Sequence, residues 1–194
     1  MARYDIMPYK SFNGGVTETR SGIIDTAAAF LVGEPVSISV NGTIVASVDP
    51  AQGLTIGVGP GTGDVIGIAA VDAVKQAALF ASDGTVATAN NEGVHVPYWP
   101  VGLDQEFVTR NFASAGDAVT TGVALVTHVG DLVSLCADAT PVWGISNNLN
   151  FLNFQITRLI RALDFRDLTD TDPAPTVARL NLLVFRRNAL IDNA

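Results

Sequence analysis

The amino-acid sequence predicts an all-β fold, with a β-barrel or β-sandwich body made of many short strands. The main observation is a corner that occurs four times, in which glycine is followed by an acidic residue and a short apolar run. Glycine accepts the positive φ angle of a tight turn, the acid can hydrogen-bond the turn backbone, and Val, Ile and Leu favour strands. The corners begin at Gly33, Gly63, Gly116 and Gly130. An Asn-Gly pair between two alternating apolar runs adds a hairpin.

The first part of the chain is predicted to be an arm followed by the β-rich body. Residues 1–22 are polar and irregular, and they are predicted to form an extended N-terminal arm. The body covers residues 23–149. Its opening segment, residues 23–32, fits a helical turn and a strand with a loop equally well, because its run of alanines favours helix while Gly33 ends it. The hairpin follows, with Asn41-Gly42 at its turn.

The rest of the body is predicted to consist mainly of short strands. Residues 94–101 are expected to be extended, because each of their two prolines disfavours the helical conformation in the residue before it. Residues 74–81 fit helical turns or a short strand. Apolar runs of strand length predict the other strands at residues 65–71, 119–126, 132–136 and 142–145.

Residues 150–194 are predicted to be a C-terminal extension that packs on the body or on a neighbouring subunit. The apolar residues between Leu152 and Leu163 match the period of a helix and, less regularly, that of a strand, so both remain open. Residues 176–187 predict a final strand with Leu180, Leu182 and Val184 on one face.

The composition favours a protein that associates with other proteins. The chain is 48% hydrophobic and 15% charged, whereas a typical soluble domain is about 25% charged. Part of its surface is therefore expected to be buried against a partner or against copies of itself.

The net charge of −8 is unevenly distributed along the chain. Residues 1–20 carry +1, residues 21–149 carry −10 and residues 150–194 carry +1. An acidic body argues against nucleic-acid binding, which needs a dense Lys/Arg surface. The basic ends are suited to docking on an acidic protein surface. The alternative is that the arginines are solvated or paired with nearby acids, namely Asp164, Asp167, Asp170 and Asp172.

No residue set in the sequence predicts catalysis, a metal site or a cofactor site. The glycine-rich loop at residues 57–64 lacks the Gly-Lys-Ser/Thr ending of a phosphate-binding loop. His95, His128 and Cys136 are the only histidines and cysteine, and their spacing does not match a zinc site. His128 and Cys136 could form a nucleophilic catalytic pair, but Cys136 lies in an apolar run and is predicted to be a buried structural thiol. The neighbouring carboxylates Asp104 and Glu106 could serve as the acid pair of a glycosidase, but nothing distinguishes them from solvated acids, and they are interpreted as such.

The sequence also predicts where the protein is made. The N-terminus lacks the apolar run of a signal peptide. The longest uncharged run, residues 139–157, is interrupted by Pro141 and Gly144 and does not predict a membrane span. Synthesis in the cytoplasm of the host cell and no membrane partner are therefore expected.

Over residues 23–146 the chain resembles the small β-rich decoration (cement) proteins of tailed-bacteriophage capsids. The corners at residues 33–36, 116–119 and 130–133 carry this resemblance, together with the strands at residues 66–69 and 142–146. The resemblance implies a virion structural protein on the outside of an icosahedral head, where it stabilises contacts between major capsid proteins. It also implies a homotrimer that is not an enzyme and has no cofactor or small-molecule substrate.

The charge distribution selects the residues predicted to contact the shell or a neighbouring subunit. Deleting residues 1–20 is expected to weaken attachment to shells while the body stays folded. Two alternatives remain: another virion part, such as a head–tail or tail-tube subunit or a small spike, and a β-sandwich carbohydrate-binding module. The predicted interface residues are Arg3, Lys10, Arg20, Arg158, Arg161, Arg186 and Arg187.

Overall fold

The computed structural model describes residues 6–11, 18–25, 28–47, 55–56, 64–73, 76, 94–113, 126–137, 142–147, 152–161 and 181–188. These residues form thirteen strands and one single-turn 3₁₀ helix, and Ala73 and Gln76 are helical, so the predicted all-β class is confirmed. The strands are β1 (Met7–Ser11), β2 (Arg20–Ile23), β3 (Pro35–Ile38), β4 (Ile44–Ala46), β5 (Thr55–Ile56), β6 (Asp64–Ala69), β7 (His95–Pro100), β8 (Gln105–Thr109), β9 (Phe112–Ala113), β10 (Leu132–Ala137), β11 (Trp143–Ser146), β12 (Phe154–Arg161) and β13 (Asn181–Arg187), and the 3₁₀ helix is Val126–His128.

The strands form two sheets. One sheet has seven strands in the order β1-β8-β13-β12-β10-β11-β9. The other has six strands, in the order β2-β7-β6-β3-β4, with β5 pairing parallel to β6. The chain therefore contributes its first strand to the seven-stranded sheet, builds the six-stranded sheet, and then returns to complete the first one.

The sheets divide the chain differently from the predicted boundaries at residues 22 and 149. The predicted N-terminal arm contributes β1 to one sheet and most of β2 to the other. The predicted C-terminal extension contributes β12 and β13, which lie in the middle of the seven-stranded sheet. Both chain ends are thus built into the sheets by backbone pairing.

The predicted hairpin is present, and its turn is one residue longer than the Asn-Gly pattern implies. Strands β3 and β4 pair antiparallel. The Ser39 N–H donates to the Thr43 carbonyl at 2.8 Å, and the Gly42 N–H donates to the Ser39 carbonyl at 2.9 Å. This geometry closes a three-residue loop with Gly42 at φ 79°, the common alternative to a two-residue turn.

Two of the four predicted glycine corners lie within the described residues, and both have the expected geometry. Gly33 has φ 88° and Gly130 has φ 100°. The Gly33 N–H donates to the Ala69 carbonyl and the Gly130 N–H donates to the Ile156 carbonyl, each at 2.9 Å. The corners therefore connect the turn backbone to distant strands. The corners at Gly63 and Gly116 lie outside the described residues.

The main hydrophobic core contains side chains from both sheets. Val65 and Ile68 of the six-stranded sheet pack with aromatic residues of the seven-stranded sheet. The ring centroid of Phe185 lies 6.0 Å from that of Phe107 and 5.6 Å from that of Phe154. A second cluster, which includes Phe30, Val36, Ile44 and Val96, belongs to the six-stranded sheet and its loops.

The structure shows the conformation of several segments for which the sequence allowed more than one. Residues 154–161 form a strand, although the hydrophobic spacing also fitted a helix. The final strand is present, but both of its faces are buried from Leu182 to Phe185, rather than one. Strand β8 was not predicted, and all five of its residues are buried. Most of residues 74–81 and 119–126 lie outside the described residues.

Candidate functional site

Four neighbouring strands, β1-β8-β13-β12, bring the two chain ends together. The sequence predicted that both ends are basic, and the sheet order places β1 of the N-terminal end on one side of β8 and β13 of the C-terminal end on the other. Among the described strands of this sheet, the basic residues are Lys10, Arg158, Arg161, Arg186 and Arg187, and the acidic residue is Glu106. We call these six residues the basic strand cluster; the register places Lys10, Glu106, Arg158 and Arg186 on one face of the sheet, and Arg161 and Arg187 on the opposite face.

Glu106 lies at the centre of the cluster. In the strand register, Glu106 of β8 is opposite Lys10 of β1 on one side and Arg186 of β13 on the other. Its carboxylate also forms an ion pair with the Arg158 guanidinium on β12. The Glu106 side chain is 5% exposed and that of Arg158 is 37% exposed, so the carboxylate is buried and the cation reaches solvent.

Arg158 is held by an aromatic ring as well as by the carboxylate. Its guanidinium carbon lies 4.9 Å from the ring centroid of Tyr9, within the distance of a cation–π contact. Tyr9 lies at the irregular position between Pro8 and Lys10, where the pairing of β1 with β8 shifts register. The Thr157 hydroxyl lies 3.4 Å from the Glu106 carboxylate. The N-terminal strand therefore provides one side of the Arg158 site.

Apolar side chains lie beside these charges. Val108, Leu182 and Val184 are buried, and Met7, Tyr9 and Ile160 pack on them while staying partly exposed. An apolar base with charged and aromatic residues around it has the chemistry of a protein-docking surface, where aromatic residues and arginine are enriched.

The other predicted interface residues have different locations. Arg20 lies on β2 in the six-stranded sheet, 62% exposed, with its Nε atom 3.8 Å from the Glu18 carboxylate. Arg3 lies outside the described residues. Five of the seven predicted residues therefore share one sheet, and Arg20 does not. The alternative partners of the arginines, Asp164 to Asp172, also lie outside the described residues.

Sequence reasoning missed Glu106 and Tyr9. Glu106 was interpreted as a solvated acid, but the flanking Gln105, Phe107 and Val108 are buried in the same strand. The available signal was the run from Phe107 to Thr109, which has strand-forming side chains and no turn residue. No local signal identifies Arg158 as the partner of Glu106, because 52 residues separate them.

His128 and Cys136 were considered as a catalytic pair, and their surroundings differ. The His128 Nδ1 atom lies 3.3 Å from the Asp131 carboxylate, and its ring centroid lies 4.3 Å from that of Phe112. Asn147 donates to the same Asp131 carboxylate at 3.2 Å. Cys136 is buried, as predicted. The contacts of His128 stabilise the corner at residues 128–131, where the Asp131 N–H donates to the His128 carbonyl.

The described part of the chain contains neither a metal-binding cluster nor a membrane-spanning helix. No group of three or more His, Cys, Asp or Glu side chains is placed to hold a metal ion in those residues. Within the same residues, no helix has the length and apolar character needed to cross a membrane. Comparison with protein-family models, with curated proteins and with solved structures found no match for this chain.

Proposed function

We propose that this protein is a structural component of a virion, a decoration protein on the outside of a tailed-bacteriophage head. In this role it binds neighbouring copies of the major capsid protein and stabilises the contacts between them. It is made in the host cytoplasm, acts as a homotrimer, and needs no enzymatic activity or cofactor. The corners that suggested the family resemblance support the proposal, since both described ones anchor short strands.

The basic strand cluster is the observation that carries the proposal. Its positions Lys10, Arg158 and Arg186 lie on the same face of the seven-stranded sheet as Glu106, while the whole chain has a net charge of −8. Such a segregated charge favours docking on a protein surface of opposite sign and fixes the orientation of the partner. The apolar residues next to Arg158 supply the burial that a stable contact needs.

A decoration protein of this kind stabilises a shell by mass action. A ligand that binds the assembled shell, and not its separated subunits, shifts the equilibrium toward the assembled state. Exposed large hydrophobic residues, among them Val40, Leu103 and Val126, provide further surface that such a contact can cover.

The first experiment is solution mass by light scattering, followed by sedimentation with expanded phage capsid shells that lack the protein. The expected result is a homotrimer of three times 20.3 kDa, about 61 kDa, that pellets with shells until the sites saturate. A protein that stays in the supernatant at every shell concentration would contradict the decoration function. Binding to tail components in larger rings, or to glycans on an array, would instead favour the two alternatives.

A pair of charge-reversal variants makes the pelleting experiment specific. Arg186→Glu lies in the basic strand cluster, and Arg20→Glu changes an exposed cation in the other sheet by the same charge. If the cluster contacts the shell or an adjoining subunit, only Arg186→Glu reduces occupancy. Deleting residues 1–20 is a less selective test than expected from sequence, because it removes all of β1 and the first residue of β2.

A further inference from the structure

We propose that Asn41, at the tip of the β3–β4 hairpin, is a modification site where the protein's own backbone converts the side-chain amide to a carboxylate. The attacking group is the backbone nitrogen of Gly42, the next residue in the chain. Hydrogen bonds made by Ser39, Thr43 and Asp25 set the rate of this conversion. The site involves the hairpin alone, so the inference is independent of the proposed function.

Both reacting groups are accessible. Asn41 and Gly42 are exposed, and within the described part of the chain the Asn41 side-chain amide has no hydrogen-bond partner. Its carbonyl carbon is therefore open to attack. A Cβ added to Gly42 would meet nothing within 4 Å, so the space beside this residue is open to water. Because glycine has no side chain, its nitrogen approaches the Asn41 amide with little steric cost.

The conversion needs only water as a co-reactant. The Gly42 nitrogen gives its proton to a solvent base and forms a bond to the Cγ atom of Asn41. The bond from Cγ to Nδ2 breaks, and the amide nitrogen takes a proton from water and leaves as ammonia. Water then opens the resulting succinimide ring: breaking the bond from Cγ to nitrogen yields aspartate, and breaking the bond from the backbone carbonyl carbon to nitrogen yields isoaspartate. Either product adds a negative charge to the hairpin tip.

The closed hairpin holds the attacking nitrogen in a hydrogen bond. The Gly42 N–H donates to the Ser39 carbonyl at 2.9 Å, inside the loop that the Ser39 N–H and the Thr43 carbonyl close. This N–H must lose its proton before the nitrogen attacks, so the reaction proceeds from molecules in which the loop has opened. The rate therefore depends on the free energy of this local opening.

A chain of hydroxyl groups stabilises the closed loop. The Thr43 hydroxyl donates to the Asp25 carboxylate at 2.8 Å, so the Ser39 hydroxyl is the donor in its 2.7 Å hydrogen bond to the Thr43 oxygen. The Ser39 oxygen in turn accepts the Asn41 N–H at 3.2 Å and the Thr43 N–H at 3.3 Å. We call Ser39, Thr43 and Asp25 the hydroxyl chain. Removing one of its members raises the population of the open loop and speeds the conversion.

The first test is peptide mapping by mass spectrometry after incubation of the protein alone in ¹⁸O-labelled water at mildly alkaline pH. Digestion at acid pH prevents further conversion. We expect Asn41 to become a mixture of aspartate and isoaspartate that contains ¹⁸O, roughly tenfold or more slowly in the native protein than in urea. An Asn41 amide that survives weeks in the native protein, or conversion to aspartate without isoaspartate, would overturn the inference. Equal rates in buffer and urea would contradict the control by the loop.

Variants of the hydroxyl chain test what sets the rate. Thr43→Val and Ser39→Ala each remove a hydroxyl group and are expected to speed the conversion about fivefold. Ser47→Ala is the matched control, because its hydroxyl pairs with that of Ser37 at 2.6 Å, away from the hairpin tip. We expect its rate to stay within about twofold of that of the wild type. Circular dichroism establishes that each variant is folded; if Ser39→Ala is not, Thr43→Val decides.

A second Asn-Gly pair provides an internal reference. Asn13-Gly14 lies outside the described residues, and its conversion is followed in the same peptide map. The hydroxyl-chain variants should change the rate at Asn41 and leave the rate at Asn13 within about twofold. Asn41→Gln should stop the conversion at this position on the same time scale, because attack on the longer side chain needs a larger ring. Equal acceleration at both pairs, or none at Asn41, would contradict control by the hydroxyl chain.

Discussion

Glu106 and Arg158 form an ion pair across β13, the strand that separates β8 from β12 in the sheet. The pair bridges two strands that do not hydrogen-bond to each other, and it crosses β13 diagonally, because Arg158 is opposite Val184 and Glu106 is opposite Arg186. Because Arg158 also contacts the Tyr9 ring, one side chain connects β1, β8 and β12. The N-terminal strand is thus held by side chains as well as by its backbone pairing.

We expect Arg158→Ala to lower the free energy of unfolding by about 2–3 kcal/mol, because it leaves the Glu106 carboxylate buried without its cation. This expected loss of unfolding free energy is smaller than that for breaking a fully buried ion pair, since Arg158 is partly exposed and screened by solvent. The double variant Glu106→Gln/Arg158→Met should recover most of the loss. Urea denaturation of the wild type, Arg158→Met, Glu106→Gln and Glu106→Gln/Arg158→Met, the four proteins of a matched cycle, measures the coupling energy, and additive effects would contradict the ion pair.

Gly67→Ala should be strongly destabilising, because strand β7 lies too close to Gly67 of β6 to leave room for a side chain. An added Cβ would lie 2.4 Å from the Tyr98 ring and 2.5 Å from the Trp99 carbonyl oxygen, so β6 and β7 must separate. The expected loss is about 2–3 kcal/mol, as for overpacking. Gly42→Ala is the matched control: its Cβ meets nothing within 4 Å, but φ is +79°, so we expect only about 1 kcal/mol. Thermal unfolding measures the loss of stability in both variants. An equal loss would contradict the close approach of β6 and β7 at Gly67.

Phe185→Ala should remove the aromatic contacts that connect β8, β12 and β13. Phe185 is fully buried between Phe107 and Phe154, so its truncation leaves a cavity and should cost about 3–5 kcal/mol. Phe185→Leu should cost less, because it fills part of the cavity. Val40→Ala, at the exposed hairpin tip, is expected to change stability by less than about 0.5 kcal/mol. Denaturant midpoints provide the measurement; a tolerated Phe185→Ala would contradict the described core.

Cys136 should react slowly with thiol reagents in the native protein. It is buried in β10 and packs against Ala113, so a reagent reaches it only when the sheet opens. Ellman's reagent should therefore label the thiol at least about a hundredfold faster in urea than in buffer. Rapid labelling of the native protein would show that this part of the sheet is more open than the structure indicates.

Much of the local structure could be predicted from particular residues. Gly33, Gly42 and Gly130 were predicted to turn with positive φ, because the pattern around each glycine is local and the conformation has little steric cost only for glycine. The burial of Cys136 also followed from its apolar neighbours. Residues 154–161 could not be assigned, since their apolar spacing fits two periods and only pairing with β13 and β10 selects the strand.

The sequence predicted which basic residues belong to the candidate site, but it did not predict how they are arranged. Both basic ends were identified, but the carboxylate that organises them was interpreted as solvated. The strand-forming residues after Glu106 indicated a strand, but no local pattern predicts that its carboxylate is buried, since the cost of burial is compensated by a partner that is distant in the chain. The same applies to Tyr9, whose ring contacts Arg158 only because β1 joins the edge of the seven-stranded sheet.

The sequence by itself determined the all-β class, the glycine corners, the hairpin and the separation of charge along the chain, because these depend on the conformational preferences of neighbouring residues. Only the tertiary structure decided that β1 lies beside β8, that β12 and β13 lie in the middle of a sheet, and that Glu106 meets Arg158. Strand order and register between distant segments are set by the packing of the whole core, in which a one-residue shift would move every buried side chain to the opposite face.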